Sequence, residues 1–206
     1  MNAMKQQVLV IHGGDSFKSY EEYLDNLKSK ELSLDRIRPN RDWKNTLHED
    51  LDENFDVLYP SFPNKHNANY EEWKIMFEKV LDIADKDLIL VGHSLGGMFL
   101  VKYLSENKID KNIKGLFIVA SPYKKADEDD RLSRFAHTGD IRSIAESSDN
   151  IYFIQSKDDV VVDFENLENF RKQLPDANYL VLEDRNHFFT KDSLPEIVEL
   201  IKRISV

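Results

Sequence analysis

The 206-residue chain contains no cysteine. Disulfides, thiolate zinc sites and a cysteine nucleophile are therefore excluded. Basic residues are in deficit, with 28 Lys and Arg against 38 Asp and Glu and a formal net charge of -10. Binding to phosphate backbones needs a basic patch, and no cluster of Lys and Arg supplies one. Lys124-Lys125, the nearest approach, is followed at once by Asp127, Glu128, Asp129 and Asp130. No nucleic-acid partner and no attraction to anionic membranes are expected, whereas a neutral ester or amide substrate remains open. Long apolar runs are also missing. The first, Val8 to Ile11, is too short for a signal-peptide core and has no cleavage region behind it. No segment approaches the length that spans a bilayer. The expectation is a soluble, cytoplasmic protein, with Met1 to Ala3 a leader of no structural role before Met4. No His-Glu-x-x-His or other metal-ligand spacing occurs, and no Gly-x-Gly-x-x-Gly follows a strand candidate, so the dinucleotide fingerprint is absent.

What is present suits one domain. Apolar residues make up 41% of the chain, enough for a substantial core, and charged residues 32%, enough for a solvated surface. Short apolar runs alternate with longer amphipathic stretches. The strand candidates are Gln7–His12, Phe55–Tyr59, Asp87–His93, Lys114–Ala120, Asn150–Gln155 and Asn178–Leu182. Several are rich in Val, Ile and Leu with little alternation, the pattern of strands buried on both faces of a parallel sheet. Helix candidates lie between them. Ser19-Tyr20-Glu21-Glu22 and Ser193-Leu194-Pro195-Glu196 match the capping box, and Asn69 with Glu72 opens a helix carrying Trp73, Phe77 and Leu81. Asp163 reads as an N-cap for a helix that Pro175 stops. This order implies an open, mostly parallel sheet with helices on both faces. Residues 121–149 break the rhythm: no strand, dense charge over 124–134, and a short helix candidate near Leu132–Ala145. They read as an insertion over the carboxyl edge of the sheet.

Glycine is scarce, seven in all, which makes its clustering informative. Leu88 to Val91 run into Gly92-His93-Ser94-Leu95-Gly96-Gly97, a buried strand entering Gly-x-Ser-x-Gly ahead of a helix. At this composition about 0.02 matches to the bare pattern arise by chance. The physical logic is a sharp turn that holds a serine in a strained conformation above the sheet edge, at the positive end of the following helix. Gly92 and Gly97 also match the glycine spacing of a phosphate-binding loop, but Met98 stands where its lysine must be.

A serine hydroxyl needs a base, and the base needs a group to orient it. Downstream of Ser94 the chain has only His137 and His187. His137 lies within the presumed insertion; His187 lies between the last strand and the last helix, on a loop that opens at the sheet edge. His187 is the expected base. The acid should end the penultimate strand, where Ser156-Lys157-Asp158-Asp159 follows Gln155. One of the two aspartates is the orienter, with Asp159 preferred, and the other a turn residue. The oxyanion needs two backbone N–H donors. Leu95 supplies one, and Gly14, or else Asp15, the other, from His12-Gly13-Gly14-Asp15. His12 and His93 sit beside these turns and are read as structural.

Together these residues resemble the α/β-hydrolase superfamily over nearly the whole chain. His12-Gly13-Gly14 looks like its oxyanion loop, Gly92 to Gly97 like its nucleophile elbow, and Asp159 and His187 like its acid and base. The length and the start at the first strand look most like the small, nearly capless serine hydrolases, the YdeN-like and retinoblastoma-binding-protein-nine-like group. The resemblance implies a three-layer fold with six parallel strands, spanning residues 1–206 as one domain with a short insertion at 121–149. It also implies a small-molecule acyl substrate and carboxylesterase-like activity without metal or organic cofactor. The family pattern places the acid three residues before an aliphatic residue at the next helix, and counting back from Val162 gives Asp159. The chain departs from many relatives at Asp163, where they carry proline, and at Asn186, where they carry glycine. Two rival readings keep the fold: a binding protein without turnover, and a lyase or acyltransferase using the same residues.

Overall fold

The structure, a computed structural model, describes residues 5–38, 41–125, 131–189 and 193–205. The acidic run at 127–130 and the leader at 1–3 lie outside the described residues. Six strands form one sheet: β1 (Gln6–Ile11), β2 (Phe55–Leu58), β3 (Asp87–His93), β4 (Asn112–Val119), β5 (Ile151–Ser156) and β6 (Asn178–Leu182). Every pairing is parallel and the spatial order is β2-β1-β3-β4-β5-β6. This is the α/β architecture that the alternation of runs implies, and each strand lies within two residues of its expected bounds. The chain leaves β1 toward β2 on one side and returns as β3 on the other. That reversal opens a crevice at the carboxyl ends of β1 and β3, the place where open α/β sheets bind ligands.

Period-two alternation along the strands divides the core into two. Leu9, Ile11, Leu88, Leu90, Leu116, Ile118 and Phe153 face one layer. It is made by α4 (Tyr70–Ile83), α5 (Leu95–Glu106) and α6 (Glu165–Gln173). Val8, Val10, Ile89, Val91, Phe117, Val119 and Ile154 face the other, made by α3 (Trp43–Asp50) and α7 (Pro195–Ile204). Trp73, Phe77 and Phe99 are completely buried in the first layer, each contributing about 1.5–3 kcal/mol of transfer free energy. The remaining α-helices among the described residues are α1 (Tyr20–Ser29) and the single turn α2 (Leu34–Ile37).

The caps follow the sequence in part. Ser19 Oγ accepts the Glu22 amide and Glu22 reaches back to the Lys18 amide, so α1 opens on a reciprocal box displaced by one residue. Asn69 Oδ1 accepts the Glu71 amide, while Glu72 turns to Asn64. The box expected at Ser193 does not form. Leu194 is the cap residue, Pro195 brings no N–H to be capped, and the Glu196 carboxylate is taken by Arg185. The helix expected near Leu132–Ala145 is instead two 3₁₀ turns, Ser133–Phe135 and Arg142–Glu146, separated by Gly139 at φ 110. At the carboxyl edge Arg131 binds Asp15 at 2.8 Å and Arg134 donates to the Lys18 carbonyl. The chain then descends beside α5, burying Ile141 and Ile144, to reach the start of β5.

Candidate active site

Four strand ends converge. Ser94 links β3 directly to α5 with φ 54 and ψ -120, a region that costs a non-glycine residue on the order of 1–3 kcal/mol. Surrounding bonds hold it there: the Ser94 amide donates to the Val119 carbonyl at 2.8 Å, and its own carbonyl accepts the Met98 amide at 3.1 Å. The turn is tight enough to demand glycine. A Cβ at Gly92 would lie 2.6 Å from the Gly96 carbonyl oxygen, and one at Gly96 only 2.4 Å from that of Ile11. Gly96→Ala is therefore expected to lose about 1–3 kcal/mol or more through overpacking against backbone that has no room to shift. Urea denaturation of the purified variant measures this.

Ser94 Oγ stands 3.0 Å from His187 Nε2, and His187 Nδ1 stands 2.8 Å from Asp159 Oδ2. The Asp159 side chain is fully buried and that of His187 nearly so. Asp159 accepts four hydrogen bonds: Oδ1 takes the Val161 and Val162 amides, and Oδ2 takes His187 and Gln155 Nε2. Burial works against its charge, but the bonds from His187, Val162 and Val161 outweigh that and lower its pKa below the ordinary carboxylate value. Asp158 points elsewhere. Its Oδ1 accepts Ser156 Oγ and the Asn186 amide, so it ties the β5 turn to the histidine loop, which is more than the turn role expected of it. Asn186 itself sits at φ 47, in the left-handed region that asparagine tolerates and glycine adopts freely. That accounts for the departure from relatives at this position.

The loop after β1 packs directly against the serine turn. A Cβ at Gly13 would come within 3.1 Å of Ser94 Cβ, and one at Gly14 within 3.4 Å of Leu95 Cδ2. Leu95 is the first residue of α5, whose leading amides have no intrahelical acceptor. Of the two alternatives on the β1 loop, the Asp15 amide is committed to the Lys65 carbonyl at 2.8 Å. Among the described residues, no hydrogen bond occupies the Gly14 or Leu95 amide.

His12 and His93 both hydrogen-bond to backbone. His12 Nδ1–H donates to the Gly13 carbonyl at 2.7 Å and Nε2 accepts the Phe62 amide at 2.9 Å, which uses both ring nitrogens. His93 is buried against Trp43 and the His187 ring, and its Nε2 lies 3.0 Å from the His187 carbonyl. A carbonyl only accepts, so that nitrogen carries the proton. Burial first, then the nearby Lys44 ammonium, pushes the His93 pKa well below its ordinary value. The unfolded chain then binds the extra proton, so this residue's contribution to stability declines as pH falls below about 6.5. His93→Gln should flatten the melting temperature between about pH 6.5 and 5 relative to the parent, as read by calorimetry.

Gln155, Trp43 and His93 were not assigned to the site from sequence. Gln155 is the polar residue in Ile151-Tyr152-Phe153-Ile154-Gln155, and its burial in an otherwise apolar strand is the signal that it serves a neighbour. Trp43 and Trp73 are core, yet Trp43 Nε1–H also donates to the Phe188 carbonyl at 3.1 Å. Phe188 is buried, whereas Phe189 is 62% exposed with its ring 5.0 Å from that of His187. Among the described residues no group of three or more His, Asp or Glu is placed to hold a metal ion. No helix among them is long and apolar enough to cross a membrane.

The chain is similar to known proteins over almost its full length. A protein of Bacillus subtilis (strain 168) named as a hydrolase, YdeN, is 26% identical over 202 residues, which cover 96% of this chain and 95% of YdeN. The crystal structure of the B. subtilis ydeN gene product superposes with TM-score 0.69 at 20% identity, over 98% of this chain and 99% of that one. A thioesterase domain from the curacin biosynthetic pathway reaches TM-score 0.64 at 14% identity, covering 96% and 91%. The esterase domain of a Rhodothermus marinus protein reaches 0.59 at 16%, covering 96% and 84%. At these identities the structures establish the fold alone. The family model described as serine hydrolase matches residues 36–203, a span that holds the serine turn, Asp159 and His187, and the chain belongs to the serine hydrolases as a YdeN-like α/β-hydrolase.

Proposed function

We propose that the protein cleaves a carboxylic ester, or a related acyl bond, of a small molecule through an acyl-enzyme. The observation that carries this reading is the continuous relay from Ser94 Oγ through His187 to Asp159, with contacts of 3.0 and 2.8 Å. Ser94 Oγ attacks the acyl carbon as His187 Nε2 takes its proton. Asp159 holds the imidazole with Nδ1–H toward the carboxylate and stabilises the imidazolium as it forms. The Leu95 and Gly14 amides face the oxyanion, where one donor is worth about 3–4 kcal/mol. Collapse breaks the bond to the leaving group, which departs with the proton from His187. Water, deprotonated by the same imidazole, then releases the acid and restores Ser94. No cofactor takes part in this sequence. The described parts of the insertion, 121–125 and 131–149, belong to the same domain, and Arg131 and Arg134 hold its first turn at the carboxyl edge of the sheet.

The test is a panel of p-nitrophenyl esters graded by acyl length, with one amide and one thioester, beside labelling by a fluorophosphonate probe. Ester turnover with stoichiometric labelling supports the reading. A chain that neither labels nor turns over any member is a binding protein on this fold, and a product other than the free acid points to acyl transfer or lyase chemistry.

A further inference from the structure

We propose that His93 and Trp43 are positioning residues that fix the catalytic base by gripping consecutive carbonyls of its loop. The inference rests on His187 being the base. Asn186 and Phe188, the residues on either side of it, both adopt positive φ, 47 and 54. Phe188 is bulky, and such residues avoid this region unless the surroundings over-determine them. The surroundings do so from several directions. From the β5 turn, Ser156 Oγ accepts the Arg185 amide and Asp158 accepts the Asn186 amide. Within the loop, Asn186 Oδ1 accepts the His187 amide and the Arg185 carbonyl accepts the Phe188 amide.

Those bonds restrain the loop's amides; its carbonyls are held from the opposite side. His93 Nε2–H donates to the His187 carbonyl at 3.0 Å, and Trp43 Nε1–H donates to the Phe188 carbonyl at 3.1 Å. Both donors are buried. The two rings pack edge to face at 6.0 Å, so each holds the other in register. His93 precedes Ser94 in the chain. One short segment therefore carries the nucleophile and the clamp on the base, which ties the 3.0 Å separation of Ser94 Oγ and His187 Nε2 to the elbow itself. Without the clamp the strained loop relaxes, the imidazole drifts from the serine, and the chemical step slows while the substrate surface is unaltered.

The experiment compares His93→Phe, His93→Gln and Trp43→Phe on one ester, with melting temperatures and amide exchange over residues 183–189. His93→Phe keeps a ring but loses the donor, and kcat should fall by about 10- to 100-fold, the effect of misplacing a reacting group by roughly an ångström. KM should stay within about twofold. His93→Gln restores an N–H near the same point and should recover most of kcat. Trp43→Phe should lower kcat in the same sense, and the Phe188 amide should exchange faster in both donorless variants. A folded His93→Phe enzyme with parental kcat overturns the proposal. So does equal loss in His93→Phe and His93→Gln, which would assign the effect to ring packing, or a rise in KM alone. If His93→Phe does not fold, Trp43→Phe against the parent decides by the same criteria. Fluorophosphonate labelling of the parent at Ser94 separates the two readings: if it is absent the proposed function fails, and if it is present with unchanged kcat in the variants only the clamp fails.

Discussion

Ser94→Ala is expected to lower kcat/KM by about six orders of magnitude and to abolish covalent labelling by a fluorophosphonate. The size follows from the way a relay works as a unit. Removing the nucleophile of a serine triad costs about as much as removing all three members, and only substrate binding and the oxyanion donors remain. The fold should survive. Among the described residues Ser94 Oγ has one hydrogen-bond partner, His187 Nε2, so the change removes a single hydrogen bond. Alanine accepts the φ of 54 no better than serine does, so the backbone strain stays where it is and the melting temperature should shift by only a few degrees. Single-turnover assays on an activated ester, with intact-mass measurement after probe treatment, check both parts. Probe adduct on a different serine would remove Ser94 from the mechanism.

The residues that meet at the candidate site were more legible in the sequence than the groups that support them. Ser94 announces itself because the turn that strains it excludes a Cβ at Gly92 and Gly96, and that constraint is written into residue type. The strands announce themselves because a sheet covered on both faces leaves little choice but Val, Ile and Leu, and β3 and β6 have the bounds the apolar runs imply. The 3₁₀ turns after β4 were not legible. Leu132, Phe135, Ile141 and Ile144 recur at intervals of three and six, close enough to a helical stripe to suggest one, and tertiary burial of Phe135, Ile141 and Ile144 decides their place without a continuous helix. The clamp on the histidine loop was hidden for another reason. Trp43 and His187 are far apart in the chain, and a tryptophan on an amphipathic helix reads as core because it is core. Only the fold reveals that its indole N–H has a carbonyl to serve.

Asp159→Asn should cost roughly 10⁴ in kcat, and Asp158→Asn no more than about tenfold, although the two residues are adjacent. The difference lies in what each carboxylate oxygen holds. Asp159 Oδ2 accepts His187 Nδ1–H at 2.8 Å in a fully buried position. An asparagine there can keep the Val161 and Val162 amides on its carbonyl oxygen, which are the bonds that shape the turn. Its amide then faces His187 with N–H rather than a lone pair. The imidazole responds by placing its proton on Nε2, the nitrogen that must accept from Ser94, and loses the negative charge that stabilises the imidazolium. In a serine protease the same exchange leaves the geometry intact and lowers kcat by about 10⁴ through the wrong tautomer, which sets the magnitude expected here. Asp158 meets no reacting group. Its Oδ1 takes Ser156 Oγ and the Asn186 amide, both donors, and an asparagine oxygen at the same point accepts both. A weaker bond to the loop amide loosens the base slightly and does not change its tautomer. The acid limb of stability does not separate the two, since hydrogen bonds hold both carboxyls below the ordinary value. Asp159 has a folded-state pKa below its ordinary value, so it adds stability above about pH 4 that is lost as pH falls through the lower folded value. Asp159→Asn should remove that acid-side decline from the melting curve. Both variants are to be assayed on one ester at one pH after thermal melts. A large loss in Asp158→Asn with a small one in Asp159→Asn would transfer the orienting role, and two small losses would leave His187 without an aspartate partner in catalysis.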